Sequence, residues 1–226
     1  MKFAVIDTET ACWSDEVDQG WRNVEDFGLA LLVIGFPSGP TGLDFYMFSP
    51  YAEIPYFPCV GDFLDHTEVQ NRLGGVDRIV SFNGDHFDLR ILESAKFDTV
   101  LAGGKSPEIS SSFFTRVTGH RISLNDLSKI QLNQSKLFES GQQAVEYWRA
   151  GLELLKGWSD GHTNFDQRCS DLCCRRSAKY LFETVITYCK QDVHLTYGLY
   201  LHIQQHESLS FWDRNSQSLK TAKMVI

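Results

Sequence analysis

Asp7 and Glu9 lie two residues apart in the string Phe3 to Thr10, FAVIDTET. On an extended segment such residues leave the same face, so the two carboxylates can share a cation. A further acid, Asp88, closes the string Asn83-Gly84-Asp85-His86-Phe87-Asp88, and Tyr188 and Asp192 stand four apart in Tyr188-Cys189-Lys190-Gln191-Asp192. On a helix that spacing puts both on one face. If the fold unites these three places, four carboxylates surround one point, where hard divalent cations such as Mg²⁺ or Mn²⁺ bind through oxygen. Two ions about 3.5 to 4 Å apart would neutralise the cluster, activate a water and stabilise the leaving 3′ oxygen of a phosphodiester. Taken singly, each residue has a plainer reading: a solvated loop for Asp7 and Glu9, a helix-dipole acid for Asp88, a half-exposed helical pair for Tyr188 and Asp192. Only the ordered set carries the chemistry.

The elements that must position these groups are legible in outline. Phe3 to Ile6 is a short apolar run ending at Asp7, as a buried strand would that delivers polar side chains to its edge. The longer run Phe27 to Phe36, the Pro/Gly turn after it and the aromatic segment Gly42 to Phe48 predict strand, turn, strand. Asp77 to Phe82 predicts another strand, and His86 to Ala95 a helix. Beyond Leu124 the apolar spacing predicts helices broken around Asn133 to Gly141, and Phe182 to His202 shows the clearest helical face. Strands early and helices late argue for one α/β domain, a mixed central sheet flanked by helices with a predominantly helical second half.

FAVIDTET, FNGDHFDLRIL and YCKQDVHLTYGLY resemble the three exonuclease motifs of the DEDD superfamily, in its tyrosine subtype with a ribonuclease H-like fold. The chain is most similar to the proofreading 3′→5′ exonuclease domain of family B DNA polymerases and to stand-alone relatives of it. GHRISLNDLSKIQLNQSK and AVEYWRAG resemble the helical segment between the second and third motifs of such relatives. The likeness runs from Phe3 to about Tyr200, within a single domain of residues 1–205 followed by a C-terminal extension, 206–226. It implies Asp7, Glu9, Asp88 and Asp192 as ligands of two Mg²⁺ or Mn²⁺ ions, and Tyr188 as the group that orients or helps deprotonate the attacking water. The histidine subtype places its base five residues before the last acid, where this chain has Thr187.

The same likeness implies that Asn83 touches the substrate backbone and that Phe87 packs near the terminal sugar or base; plain core packing is the alternative for Phe87. Thr8 and Thr10 flank the acids and can present groups to a 3′ hydroxyl. Lys136, Arg121 and Lys129 can form a local phosphate-binding patch, solvated surface being the alternative for each. Lys136 matches a Gly-Lys-Ser-like position of relatives, although Asn-Gln-Ser-Lys stands here. The departure from the family lies at about 152–181, an insertion that holds Cys169, Cys173 and Cys174 near His162. Its spacing matches no zinc pattern, so reduced cysteines are expected there.

The chain of 226 residues is 42% hydrophobic, which excludes disorder, and its net charge of −8 excludes nonspecific duplex wrapping by a global basic field. Six cysteines without scaffold spacing predict a reducing, cytoplasmic setting, and no signal or membrane span is read. The expected activity is metal-dependent 3′→5′ hydrolysis of single-stranded ends, DNA preferred over RNA, releasing nucleoside 5′-monophosphates, alone or beside a polymerase or helicase. The alternatives are an exoribonuclease of the same fold, a non-catalytic nucleic-acid-binding or scaffold module, and a zinc-dependent interaction domain.

Overall fold

The computed structural model describes residues 1–53, 63–99, 109, 114–116, 119–159 and 171–224; for 157–159 and 171–175 it describes the backbone alone. The molecule is mixed α/β, built on a four-stranded mixed sheet. The strands are β1 (Phe3–Thr10), β2 (Leu29–Ser38), β3 (Gly42–Phe48) and β4 (Arg78–Val80), in the order β3-β2-β1-β4. β1 pairs antiparallel with β2 and parallel with β4, and β2 pairs antiparallel with β3. The helices are α1 (His66–Gly74), α2 (Asp88–Ser94), α3 (Leu124–Leu132), α4 (Gly141–Ser159) and α5 (Asp171–His206), followed by the hairpin strands β5 (Ser208–Asp213) and β6 (Ser218–Lys223).

β1 is buried on both faces, which is why its first half reads as a continuous apolar run rather than an alternation. Successive side chains still point to opposite sides. Ala4 and Ile6 join Leu32 and Ile34 in a core with Val69 and Leu73 of α1 and Ile91 and Leu92 of α2. Val5 faces the other way, joining Leu31 and Val33 in a core with Leu127 of α3, Trp148 of α4 and Val185, Cys189 and Val193 of α5. The parity continues: Asp7 and Glu9 leave on the α5 side, Thr8 on the α2 side. β1 runs three residues beyond the expected end at Asp7, because β2 keeps pairing with it as far as Thr10↔Leu29, across an irregularity between Glu9 and Thr10.

Two glycines allow the close packing that fixes α5. A Cβ on Gly35 of β2 would lie 2.8 Å from Val193 Cγ1, and one on Gly151 of α4 would lie 2.8 Å from Phe182 Cζ. α5 thus reaches the sheet one residue from Asp192, while Trp148 and Phe182 meet edge to face at 4.8 Å. At 36 residues α5 is about 54 Å long, much longer than the stretch Phe182 to His202 in which its apolar face is obvious. Of the expected insertion, residues 152–159 continue α4 and 171–181 form the first turns of α5. Residues 160–170, with His162 and Cys169, lie outside the described residues, as do Cys59 and the side chains of Cys173 and Cys174. The sequence outline also lacked α1. It carries few inward apolar residues, Val69 and Leu73, but a start signal is present: Asp65 Oδ1 accepts from Glu68 N–H at 2.8 Å. The C-terminal extension is the β5–β6 hairpin, which buries Leu209, Phe211, Ala222 and Met224 in the α5-side core. Among the described residues no helix is long and apolar enough to cross a membrane.

Candidate active site

A cavity of about 710 Å³ opens at the C-terminal end of β1, lined by Asp7, Thr8, Glu9, Thr10, Asn83, Phe87, Asp88, Lys136, Tyr188 and Asp192 among others. Every residue expected at the site therefore borders one space. The fold does not treat them alike.

On the α5 side, Asp7 and Glu9 come together with Cys189, one ligand atom of each lying within 4.8 Å of the others. The Cys189 thiol donates to Asp7 Oδ2 at 3.1 Å. Asp192 comes in from the same helix, and its Oδ2 pairs with Lys136 Nζ, while its Oδ1 is buried without a hydrogen-bond partner. Burial, and after it the charges of Asp192 and Asp88, push the Asp7 carboxyl well above its ordinary range. Burial and then Asp7 and Asp192 do the same to Glu9. Asp192 is also raised, again by burial, with Lys136 and the Tyr188 hydroxyl opposing. Two like charges 4 Å apart repel by about 4 kcal/mol at an effective dielectric of 20. One ammonium does not balance three or four such groups.

On the α2 side, Asp88 is the first residue of α2, and its carboxylate faces Thr8 and Ser81 instead. Thr8 N–H and Oγ1–H donate to Oδ1 at 3.0 and 2.6 Å, and Ser81 Oγ–H donates to Oδ2. Burial pushes this carboxyl up to about 6, with the bonds from Ser81 and Thr8 holding it down. Thr8 is thus committed to Asp88, and the Thr10 hydroxyl to Cys12 O at 2.9 Å. Both threonine hydroxyl protons are therefore engaged within the protein.

Lys136 departs further from expectation. It is mostly buried, pairs with Asp192 and lies 4.7 Å above the Tyr188 ring centre. Its ammonium is held above the usual lysine range by Asp192, then Asp7, against burial. A charged group so engaged belongs to the acid cluster rather than to an exposed phosphate patch with Arg121 and Lys129. Its loop is clamped by the neighbour of Asp192: Gln191 Nε2 donates to Ser135 O at 2.7 Å, and Leu137 N–H donates to Gln191 Oε1 at 2.6 Å. Tyr188 is buried between Lys136 and Phe138, which stacks on it at 4.7 Å. Burial first, then Asp192 and Glu9, push its phenol far above the ordinary tyrosine value, so it stays protonated and acts as a donor.

The remaining wall is aromatic. Phe87 meets Trp21 at 5.9 Å and Phe27 at 6.1 Å, so it borders the cavity and also packs into the core; the two readings of this residue coexist. Trp21 is half exposed and meets Trp13 edge to face at 5.3 Å. Arg90 ties the Trp21 segment to α2 through Glu25, and Arg149 ties the Trp13 segment to α4 through Glu16 and Ala11 O. Asn83 takes a left-handed backbone, φ 68°, and donates its N–H to Ile109 O at 3.1 Å, turning the chain between β4 and α2. Sequence reasoning passed over Trp13, Trp21, Ser81, Cys189 and Gln191 as members of the site. Two tryptophans in the otherwise polar stretch Ala11 to Arg22, and the position of Cys189 and Gln191 inside the third motif, were the available signals.

An oxygen-rich, net negative pocket with an unsatisfied Asp192 Oδ1 fits divalent cations by its donor chemistry. Cys12 and Cys189 are both free thiols, and Cys189 is the one sulfur in that set. No family model matches the chain, and neither any curated protein nor any solved structure matches it.

Proposed function

We propose that this cavity is the active site of a metal-dependent 3′→5′ exonuclease of the tyrosine subtype, on a ribonuclease H-like fold. The observation that carries the reading is the convergence of Asp7, Glu9, Asp88 and Asp192, from β1, α2 and α5, on one cavity with Lys136 as the cation paired there. The mixed sheet with the acid pair on an inner strand agrees with it.

Asp7, Glu9 and Asp192 would hold divalent ions, with Asp88 contributing through the lone pairs its three hydrogen bonds leave free. When bound, such ions supply positive charge at the phosphodiester and lower the pKa of a nearby water. The protein's own part is orientation. Tyr188, protonated and wedged between Phe138 and Lys136, presents its hydroxyl beside Asp192 to align the attacking water. Trp21 and Phe87 offer faces on which the terminal base can stack without being read, as a sequence-independent exonuclease needs. Water attacks phosphorus, the bond to the 3′ oxygen breaks, and a nucleoside 5′-monophosphate leaves a new 3′ hydroxyl on the shortened strand. Single-stranded DNA as the preferred substrate rests on the likeness of the motifs to proofreading domains.

The test is purified protein with Mg²⁺ or Mn²⁺ on 5′-labelled single-stranded DNA, duplex DNA and RNA. A descending ladder that EDTA abolishes, and that a 3′ phosphate blocks, is expected. Cleavage undiminished by chelator, or equal with blocked and free ends, overturns the reading.

A further inference from the structure

A second groove, of about 300 Å³, lies between α3 and the β5–β6 hairpin, and it shares Arg121, Ile122, Asp126 and Arg214 with the acid cavity. The two spaces therefore adjoin across a common wall. We infer that the groove is the track for the nucleotides on the 5′ side of the terminal one, binding their phosphates through Arg121, Lys129 and Arg214 and one base on Trp212. The inference rests on the exonuclease reading of the acid cavity.

The groove's chemistry is opposite to that of the acids it adjoins. Arg121 and Lys129 are exposed, and Arg214, whose side chain is 72% exposed, pairs with Asp126 at 3.8 Å. Three cations gathered in one groove of a chain with net charge −8 make a local positive field where the whole molecule supplies none. Trp212 is 52% exposed and Ile130 37%, both on the groove. A large aromatic left in water beside cations is the combination that holds a single strand, with phosphates on the charges and a base on the ring. The occupant argued for is the same strand whose 3′ end would lie among the acids, because the groove shares a wall with the acid cavity and carries the opposite charge.

The platform is preformed. Gln131 Nε2 of α3 donates to Ser210 O at 2.8 Å, and Phe211 packs on Phe114 at 5.5 Å. The turn that carries Arg214 is closed on Asp213, which accepts from Asn215 N–H at 3.1 Å, from Ser216 Oγ–H at 2.7 Å and from Lys220. Trp212 stands opposite Leu219 in the hairpin register, and both project outward while Leu209, Phe211 and Ala222 are buried. The patch therefore keeps its shape without a ligand.

The experiment compares kcat/KM of the full chain on a long oligo(dT) and on a dinucleotide, for wild type, Trp212→Ala and Lys129→Ala. Wild type should favour the long substrate, and Trp212→Ala should lower the ratio of long to short by about 10-fold or more, the scale of one lost base stack. Lys129→Ala should lower the ratio less, and should flatten the dependence of log KM on log salt for the long substrate by about 0.7. Equal activity of wild type on both lengths, or variants with an unchanged ratio, overturns the groove and leaves the exonuclease reading standing. Wild type inactive on both substrates removes the exonuclease reading, and the groove falls with it. A Trp212→Ala change that converts a dimer to a monomer in sedimentation while leaving the ratio unchanged reassigns the face to a second copy of the chain.

Discussion

On the α5 side of β1, Asp7 and Glu9 meet one thiol and one shared ammonium; on the α2 side, Asp88 meets three hydrogen-bond donors. The same strand thus holds carboxylates in two states, and its two-residue periodicity decides which. Donor-poor buried acids destabilise the chain that carries them, a cost that a bound cation would relieve. A donor-rich acid works as a joint, pinning the start of α2 to β1. The difference teaches that buried carboxylates lining one cavity can be held in different ways: Asp88 by three neutral donors, Asp7 and Glu9 by a thiol and an ammonium shared with Asp192.

Neutralising an acid on each side is the sharpest way to break this contrast. Asp7→Asn should lower kcat about 1000-fold or more, on the scale of losing a ligand from a shared site. In EDTA the same variant should melt higher than wild type, because a like charge has left a crowded pocket. A lower melting temperature in EDTA would show that Asp7 is satisfied without a cation. Tyr188→Phe should lower kcat by about 10- to 1000-fold with KM unchanged, as the loss of one oriented hydrogen bond implies. Wild-type rates under single-turnover conditions would reduce Tyr188 to packing.

Near pH 5, where Asp88 keeps its proton in the folded chain, Asp88→Asn should act with the opposite sign on stability, lowering it by about 1 to 3 kcal/mol, since Thr8 and Ser81 lose an acceptor for their buried donors. Chemical denaturation of both Asn variants in EDTA reads the two signs side by side. The pH dependence of the metal-free protein sharpens the point. A carboxyl raised from 3.8 to about 6 keeps its proton in the folded chain after the unfolded chain has lost it. Stability from Asp88 is therefore full below about pH 4 and declines by about 3 kcal/mol as pH rises through 6. Asp7 and Glu9 extend the decline to higher pH, and saturating Mn²⁺ should flatten it above pH 6. A flat profile in EDTA would contradict the crowding. The smallest expected effect is that of Gly35→Ala, which presses on Val193 beside Asp192 and should cost about 1 kcal/mol, measured by urea unfolding.

Much of this was legible in the sequence, for identifiable reasons. β1, β2 and β4 announce themselves because buried strands need apolar runs, β3 because aromatic residues follow a Pro/Gly turn, and α3 to α5 because an amphipathic helix repeats its face. The acids were legible because FAVIDTET, FNGDHFD and YCKQD each set a carboxylate at the end of an element or on a helical face. What stayed hidden depends on pairing across the fold. That Thr8 serves Asp88 follows from strand parity together with the position of α2, and no local window contains both. Lys136 looked like a surface cation because nothing near it in sequence is acidic enough to bury it; its partner Asp192 lies 56 residues on. The hairpin was missed although Leu209 and Phe211 alternate with Ser208 and Ser210, because Trp212 and Asp213 break the alternation, the strands are short and the turn between them, Arg214 to Gln217, lacks glycine and proline.

The contact between Cys189 and Asp7 spans 182 positions of the chain. Contacts of such separation are closed late, after the local helices and the β2–β3 hairpin, because loop closure must be met before they form. Recovery of nuclease activity during refolding should therefore lag behind the return of helical signal, and a partly folded chain would have acids but no catalyst. On the exonuclease function proposed above, activity would be withheld until two segments 182 positions apart have met.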